Sequence, residues 1–440
     1  MTAMPTRHRI SPNDPALRTM GRIDDADPER PVWVFPYTQV SFRFTGTSLT
    51  ASLINYWNYG DSHLGVVIDG QPAKVRIPSG FTGANELPNN STSASGVPGS
   101  DEGTDSRSEA SGENGIADPE RQPHTPTPSP VSAPAPASSP STGESGTGFD
   151  RAIEPNDALR NPYGPVTVTL AERLPDIEHE VTVFKRQDGQ HYVELLGFGI
   201  DAGAKVMPPL APAPDRRIEV YGDSVSCGER NEASLYTGKP DPDVDLSSYS
   251  NAWHSYAAIT ARNLGAQLHD VSQGGISLID GIGWFNGPDY VGQESAWDRI
   301  EYNPTLGGGK PWDFARYTPQ VAIVAVGQND AHPFDFMAAD YDGDQAAHWR
   351  ARYVDFLRKL RETYPKATII CLTTLLQHDP SWDRAIDEAV RTAADPAIHH
   401  FLFSRNGSAT PGHPRVAEHE EMARELTAFI DSLGGSIWAE

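Results

Sequence analysis

The residues best suited to chemistry lie in four short polar stretches in the second half of the chain. Each stretch either follows an apolar run or opens a helical one, so each is expected at the end of an element. Together they contain a serine, glycines, an asparagine and a histidine. The stretches are Gly222-Asp223-Ser224, Ser272-Gln273-Gly274-Gly275, Gly327-Gln328-Asn329-Asp330 and Gly412-His413-Pro414.

These residue types are the parts of an acyl-transfer site. A serine hydroxyl is a weak nucleophile at neutral pH, so Ser224 needs a general base, for which we predict His413. The oxyanion needs preorganised donors, which we predict to be the Ser224 amide, a glycine amide after the second strand and the Asn329 side chain. Glycine suits that position because its missing Cβ lets the backbone approach a substrate.

Taken singly, each stretch also has a purely structural explanation. Gly222-Asp223-Ser224 and Asn329-Asp330 are typical of turns after strands, and His413 before Pro414 is compatible with a helix N-terminus. Cys227 is a weaker alternative nucleophile, because Ser224 and not the cysteine ends the apolar run. The occurrence of all four stretches in one chain favours a catalytic set.

Composition limits the partners. The 440 residues carry a formal net charge of −24, which argues against nucleic acid and anionic membrane surfaces. No apolar run approaches the length of about 18 residues that a transmembrane helix requires. Cys227 and Cys371 cannot form a disulfide framework, and no metal-ligand spacing surrounds either, so no metal or other cofactor is expected.

The elements that must position the four stretches form an α/β pattern. From about residue 215 onward, apolar strands alternate with helical spacing, as at residues 218–221, 268–271, 321–326 and 367–372. Such a pattern predicts a central parallel sheet with helices on both faces. Ligands bind beyond the carboxyl ends of the strands in these sheets, which is where the polar stretches fall.

The first half reads as β-structure. Val40, Phe42 and Phe44 alternate with polar residues, and the alternation resumes at Val166, Val168 and Leu170 after a long Ser-, Pro- and Gly-rich segment. Each β-rich part is too short for a sandwich of about a hundred residues, so we predict one sandwich interrupted by a disordered insert. The predicted organisation is a tail at 1–28, a sandwich at 29–84 plus 155–210, an insert at 85–154 and the α/β domain at 215–440.

The four stretches resemble the four blocks of the SGNH hydrolases, in the same order, over residues 216–433. The chain is similar to carbohydrate esterase family two when three stretches of its first half are considered with these blocks. They are Phe42-Arg43-Phe44-Thr45-Gly46, His179-Glu180-Val181 and Lys185-Arg186. The resemblance implies a jelly-roll sandwich before an SGNH domain that removes acetyl groups from plant-wall polysaccharides, often at the sugar 6-position. It also implies Ser224 as nucleophile, His413 as base, and Gly274, with Gly275 as fallback, and Asn329 as oxyanion donors.

Two departures from this pattern matter. Thr410 occupies the position of the usual aspartate before the histidine, so we predict a Ser–His dyad, with His413 oriented by a backbone carbonyl or a distant acid. The polar segment 1–22 has no apolar signal-peptide core, although the family is extracellular. A cytoplasmic location and an unconventional secretion route both stay open.

The expected partner is an acetylated oligo- or polysaccharide, bound by a monomer. Asp223, Gly275, His332 and Trp382 are predicted to line the substrate site. Two other functions are compatible with the residues: an esterase, lipase or thioesterase acting on other acyl groups, and a glycan-binding protein without catalysis.

Overall fold

The computed structural model describes residues 7–57, 62–78 and 164–439. The insert predicted at 85–154 lies outside these residues. The sandwich and the α/β domain belong to one compact unit.

The first half forms two six-stranded antiparallel sheets. In β5 the side chains alternate between partly exposed and buried, which places Val40, Phe42 and Phe44 in a core that both sheets share. One sheet has the order β3-β4-β11-β6-β9 with β1 on β11, and the other has the order β12-β5-β10-β7-β8 with β2 on β5. The strands are β1 (His8–Ile10), β2 (Arg18–Met20), β3 (Ile23–Asp24), β4 (Val32–Trp33), β5 (Gln39–Gly46), β6 (Leu49–Trp57), β7 (His63–Ile68), β8 (Gln71–Arg76), β9 (Pro165–Ala171), β10 (Ile177–Lys185), β11 (His191–Ile200) and β12 (Val206–Met207).

The segment predicted as an N-terminal tail is part of this sandwich. Strands β1, β2 and β3 lie within residues 1–28 and pair with β11, β5 and β4. They are only two or three residues long, which is too short for a period-two pattern to show in the sequence.

The second half contains the predicted parallel sheet, with the order β14-β13-β17-β18-β19. Its strands are β13 (Arg216–Gly222), β14 (Ala266–Ser272), β17 (Val321–Ala325), β18 (Thr368–Cys371) and β19 (Ile398–His400), and a separate small sheet pairs β15 (Arg299–Glu301) with β16 (Lys310–Pro311). The α-helices are α1 (Ser224–Cys227), α2 (Tyr256–Asn263), α3 (Gln293–Ala296), α4 (Phe336–Ala339), α5 (Asp344–Thr363), α6 (Pro380–Ala393) and α7 (Val416–Ser432).

Helices cover both faces of this sheet. Ile218 and Val220 of β13 share a core with α2 and α7, whereas Tyr221 packs edge-on against Phe356 of α5. Because successive strand residues point to opposite faces, an apolar strand covered on both faces reads as a continuous apolar run. Within the described residues, no helix is both long and apolar enough to cross a membrane.

Candidate active site

Ser224 lies at the sharp turn where β13 ends. Asp223 caps the four-residue helix α1 by accepting a hydrogen bond from the Val225 N–H at 3.0 Å, and Gly228 ends the helix in the left-handed conformation at φ 70°. A Cβ on Gly222 would lie 2.2 Å from Ser226 Oγ, so only glycine fits before this turn. The strand therefore delivers Ser224 to the carboxyl edge of the parallel sheet.

His413 has an aspartate partner that the sequence pattern did not identify. Its Nδ1 lies 2.5 Å from Asp241 Oδ2, and its backbone N–H donates to the same oxygen at 3.2 Å. Asp241 belongs to the segment between β13 and α2, far from His413 in sequence. At the predicted acid position, the Thr410 hydroxyl instead donates to the Gly412 carbonyl.

Two arginines hold the Asp241 carboxylate. Arg415 Nη2 donates to Oδ1 at 2.5 Å, and Arg230 Nη1 lies 3.4 Å from Oδ2. Burial alone would raise the pKa of Asp241, but the hydrogen bond and charge of His413 and the Arg415 bond outweigh it and hold that pKa well below its usual range. Asp241 is therefore an ionised carboxylate at neutral pH.

Glu229 connects the Ser224 turn with His413. Its backbone N–H donates to the Ser224 carbonyl at 2.9 Å, and its Oε2 lies 4.0 Å from His413 Nε2, the ring nitrogen opposite Asp241. The structure thus brings the serine turn and the histidine to the same side of the sheet, with Nε2 turned away from the aspartate.

Asn329 lies beside the serine turn in a short 3₁₀ helix after β17. Its Nδ2 donates to the Ile276 carbonyl at 3.0 Å and to Asp223 Oδ2 at 3.2 Å. Gln328 Nε2 donates to the same Asp223 oxygen at 2.7 Å. Burial raises the pKa of Asp223 to about 6, against the lowering effect of its Val225 and Gln328 bonds.

The two glycines after β14 differ in whether their backbone N–H groups have a hydrogen-bond acceptor. The Gly274 N–H donates to Asp188 Oδ2 at 2.9 Å, so the glycine that the sequence favours as oxyanion donor already has an acceptor. Gly275 is in the left-handed region at φ 76°, and among the residues the structure describes its N–H has no acceptor. A Cβ on Gly274 would lie 2.6 Å from Glu229 Oε2 and 2.7 Å from Asp188 Oδ2.

An exposed aromatic pair adjoins both stretches. Trp284 is 50% exposed and stacks on His332 with ring centroids 3.4 Å apart. The Trp284 N–H donates to the Gly275 carbonyl at 2.8 Å, and the His332 N–H donates to the Asn329 carbonyl at 3.1 Å. The pair is thus tied by the backbone to Gly275 and Asn329.

Trp382 does not lie at this edge as a lining residue. Its side chain is 0% exposed and packs against Phe336 and Trp349, while its Nε1 donates to Asp335. The prediction that Trp382 lines the substrate site is therefore wrong: it is a core residue of the α4–α5–α6 face.

Asp241, Glu229 and Asp188 are the site residues that sequence reasoning missed. Lys185-Arg186, which lie three and two residues before Asp188, carried part of the family resemblance, but nothing in the pattern placed that strand end at the site. Lys239-Pro240-Asp241-Pro242-Asp243 has the composition of a loop and gives no signal of catalysis. Within the described residues, no group of three or more His, Cys, Asp or Glu side chains is arranged to hold a metal ion.

A strand-end serine and a histidine paired with an aspartate thus lie at the edge of a parallel sheet that follows a β-sandwich. A family model described as carbohydrate esterase 2 N-terminal matches residues 19–92. The acetylxylan esterase / glucomannan deacetylase of Cellvibrio japonicus is 31% identical over 273 residues, which are 58% of this chain and 67% of that protein. The chain belongs to carbohydrate esterase family two.

Another relative and two solved structures agree with this assignment. The cellulase/esterase CelE of Acetivibrio thermocellus is 31% identical over 281 residues, which are 61% of this chain; the chain spans only 32% of that relative's length. A family two carbohydrate esterase from Clostridium thermocellum in complex with cellohexaose has a TM-score of 0.64 at 21% identity, covering 96% of this chain and 100% of that one. A family two esterase from Cellvibrio japonicus has a TM-score of 0.64 at 22% identity, covering 99% and 100%. These structures have the same fold.

Proposed function

We propose that the protein is a serine esterase that removes O-acetyl groups from carbohydrate through an acyl-enzyme on Ser224. The observation that carries this proposal is the Asp241–His413 contact at 2.5 Å, which leaves the opposite ring nitrogen, Nε2, 4.0 Å from Glu229 Oε2 beside the Ser224 turn. Relatives named acetylxylan esterase, glucomannan deacetylase and cellulase/esterase support the reaction and the substrate class.

The reaction begins with attack of Ser224 Oγ on the ester carbonyl, while His413 Nε2 takes the hydroxyl proton. The tetrahedral intermediate collapses as the same proton passes to the sugar oxygen, which leaves as an alcohol. Water then attacks the acetyl-serine with His413 again as base, which releases acetate and restores Ser224. Asp241 accepts the Nδ1–H, fixes the tautomer and stabilises the imidazolium, so we infer a triad in place of the predicted dyad.

The oxyanion donors in this scheme are the amides of Ser224 and Gly275 and the side chain of Asn329. Gly275 replaces Gly274 because the Gly274 N–H is already bonded to Asp188. Asn329 Nδ2 serves the oxyanion by giving up its longer bond, the one to Asp223 at 3.2 Å, while Gln328 remains on that carboxyl group. Donors at such positions are each worth about a hundred- to a thousandfold in rate.

The Trp284–His332 pair is the proposed contact for the sugar. Stacked rings with one face in water suit the apolar face of a sugar ring, and the pair is tied to the donor positions Gly275 and Asn329. A neutral polymer, such as glucomannan esterified at a primary 6-hydroxyl or xylan esterified at its secondary ring hydroxyls, also fits a chain with a net charge of −24. The sandwich is interpreted as the jelly roll of this family.

The test is acetate release from acetylated xylan and acetylated glucomannan by the wild type and by Ser224→Ala. We expect the substitution to lower the rate by at least about a thousandfold, because no other group at the turn replaces the nucleophile. Cys227→Ala is the matched control in the same helix and should retain activity. If wild type and Ser224→Ala both match the uncatalysed rate, the proposed deacetylase activity is contradicted, and the alternative of a glycan-binding protein without catalysis is favoured.

Chain-length dependence separates the acyl-group alternatives. We expect p-nitrophenyl acetate to be hydrolysed far faster than the butyrate or octanoate. Rates that are equal or rise with chain length would contradict the deacetylase assignment and favour a lipase- or thioesterase-like enzyme.

A further inference from the structure

The loop between β10 and β11 extends from the sandwich to the catalytic edge of the α/β domain. Lys185, Arg186, Gln187 and Asp188 are all buried there. Arg186 Nε donates to the Ser250 carbonyl at 3.0 Å, and Asn303 Nδ2 donates to the Gly189 carbonyl at 3.1 Å. Lys185 Nζ, at the end of β10, donates to the carbonyls of Gln187 and Asp188. The loop is therefore held by its own strand and by the α/β domain.

Asp188 at the tip of this loop binds the stretch after β14. Its Oδ2 accepts the Gly274 N–H at 2.9 Å and Gln273 Nε2 at 2.8 Å, while its Oδ1 accepts the Gln190 N–H at 3.1 Å. The other end of the Gln273 side chain accepts the Tyr302 hydroxyl at 2.5 Å. One carboxylate from the sandwich thereby fixes both the backbone and the side chain that precede Gly275.

The direction of the Gly275 N–H depends on this fixed peptide. Gly275 has φ 76°, and glycine as a residue type has many accessible backbone conformations. Its carbonyl accepts hydrogen bonds from the N–H groups of Trp284 and Phe285. With the Gly274 N–H bonded to Asp188 on one side and the Gly275 carbonyl bonded on the other, the amide between them has one orientation.

We propose that Asp188 is a positioning residue of the esterase reaction, supplied by the sandwich, which orients the Gly275 N–H toward the oxyanion. The inference rests on the proposed function. It gives the sandwich a role in the chemical step: without the β10–β11 loop, the turn after β14 would lack the acceptor that holds it.

The experiment compares Asp188→Ala and Asp188→Asn with the wild type on p-nitrophenyl acetate. We expect Asp188→Ala to lower kcat by about ten- to a hundredfold with KM changed by less than about twofold, because the lost alignment acts on the transition state. Asp188→Asn keeps one oxygen for the Gly274 N–H and should retain kcat within about fivefold.

Asp201→Ala is the matched control. Asp201 accepts the Thr47 N–H and the hydroxyls of Thr47 and Ser48 within the sandwich, so its removal costs a comparable set of bonds away from Gly274. This variant should leave kcat unchanged. A kcat for Asp188→Ala equal to that of Asp201→Ala, or an effect on KM alone, would overturn the proposal.

Amide hydrogen exchange at Gly274 provides a readout that does not require turnover. Exchange should accelerate at least about tenfold in Asp188→Ala and stay near the wild-type rate in Asp188→Asn. Unchanged exchange in Asp188→Ala would show that Asp188 does not hold the turn. Failure of the proposed function looks different: the wild type itself would not hydrolyse the ester, and the catalytic role of Asp188 would fall with it.

Discussion

Asp241 is the residue that decides how His413 works. Asp241 stands in for the aspartate that usually lies near the histidine and is missing here. Its carboxylate contacts His413 Nδ1, Arg415 and Arg230. In the proposed reaction, an ionised acceptor at Nδ1 keeps the proton there and leaves Nε2 free to accept one from Ser224.

We expect Asp241→Asn to lower kcat for acetyl ester hydrolysis by about a hundred- to ten-thousandfold, because an amide at Nδ1 favours the wrong tautomer and does not stabilise the imidazolium. Asp243→Asn is the control, since Asp243 lies exposed in the same loop. Steady-state kinetics check the prediction. An activity within about threefold of the wild type would instead support the dyad.

The sequence predicted some residues of the site and not others for a physical reason. Ser224, Asn329 and His413 follow or precede apolar runs, so their placement at one sheet edge follows from the parallel topology. Asp241 reaches His413 across 172 positions from a loop, and a loop has no periodicity from which its direction could be inferred.

At the scale of elements, the long apolar strands and amphipathic helices were predictable and the two- and three-residue strands were not. The helical spacing of apolar residues begins only at Trp349, whereas α5 begins five residues earlier, at Asp344, because its first turn is polar and has no apolar spacing. Strand β14 contains a residue whose burial the sequence does not indicate, because the polar Asp270 within it is fully buried in the fold.

Asp270 makes the stability of this strand depend on pH. It receives one hydrogen bond, from Ser272 Oγ to Oδ1 at 2.5 Å, and its Oδ2 has no partner among the described residues. Its titratable neighbours include Tyr37, Cys227 and Tyr256, and burial raises the pKa of Asp270 to about 8. Between the unfolded value of about 3.9 and this folded value, the folded state binds more protons, so rising pH destabilises it.

We expect Asp270→Asn to remove this dependence. Relative to the wild type, the variant should gain on the order of a few kcal/mol in free energy of unfolding between pH 5 and pH 8. Urea unfolding at the two pH values measures the change, with Asp431→Asn, an exposed carboxylate, as control. A constant difference between Asp270→Asn and the wild type across that range would contradict the assigned burial effect.

At the scale of the whole molecule, the N-terminal segment joins the two domains. Arg22 lies between β2 and β3 of the sandwich, yet its side chain is 0% exposed within the α/β domain. It donates to Glu219 Oε1 at 3.0 Å, to the Trp297 carbonyl at 2.6 Å and to the Tyr221 hydroxyl at 3.0 Å. The ring of Tyr37, from the start of the sandwich, also belongs to the core of the α/β domain.

These buried contacts predict that the sandwich and the α/β domain unfold together. We expect Arg22→Met to lower the free energy of unfolding by about 3–5 kcal/mol, because it leaves the buried Glu219 carboxylate without its cation. Arg30→Met is the matched control: Arg30 pairs with Glu194 from a half-exposed position, where an ion pair contributes about 1 kcal/mol or less.

Urea unfolding followed by far-UV circular dichroism and by tryptophan fluorescence measures both effects. A single coincident transition is expected for the wild type and for Arg22→Met, since Arg22, Tyr37 and the β10–β11 loop all cross between the domains. Two separate transitions in the wild type would show that the domains unfold independently. A loss in Arg22→Met no larger than in Arg30→Met would show that other contacts hold the domains together. Because Asp188 reaches the candidate site through the same interface, loss of the proposed esterase activity should coincide with this single transition.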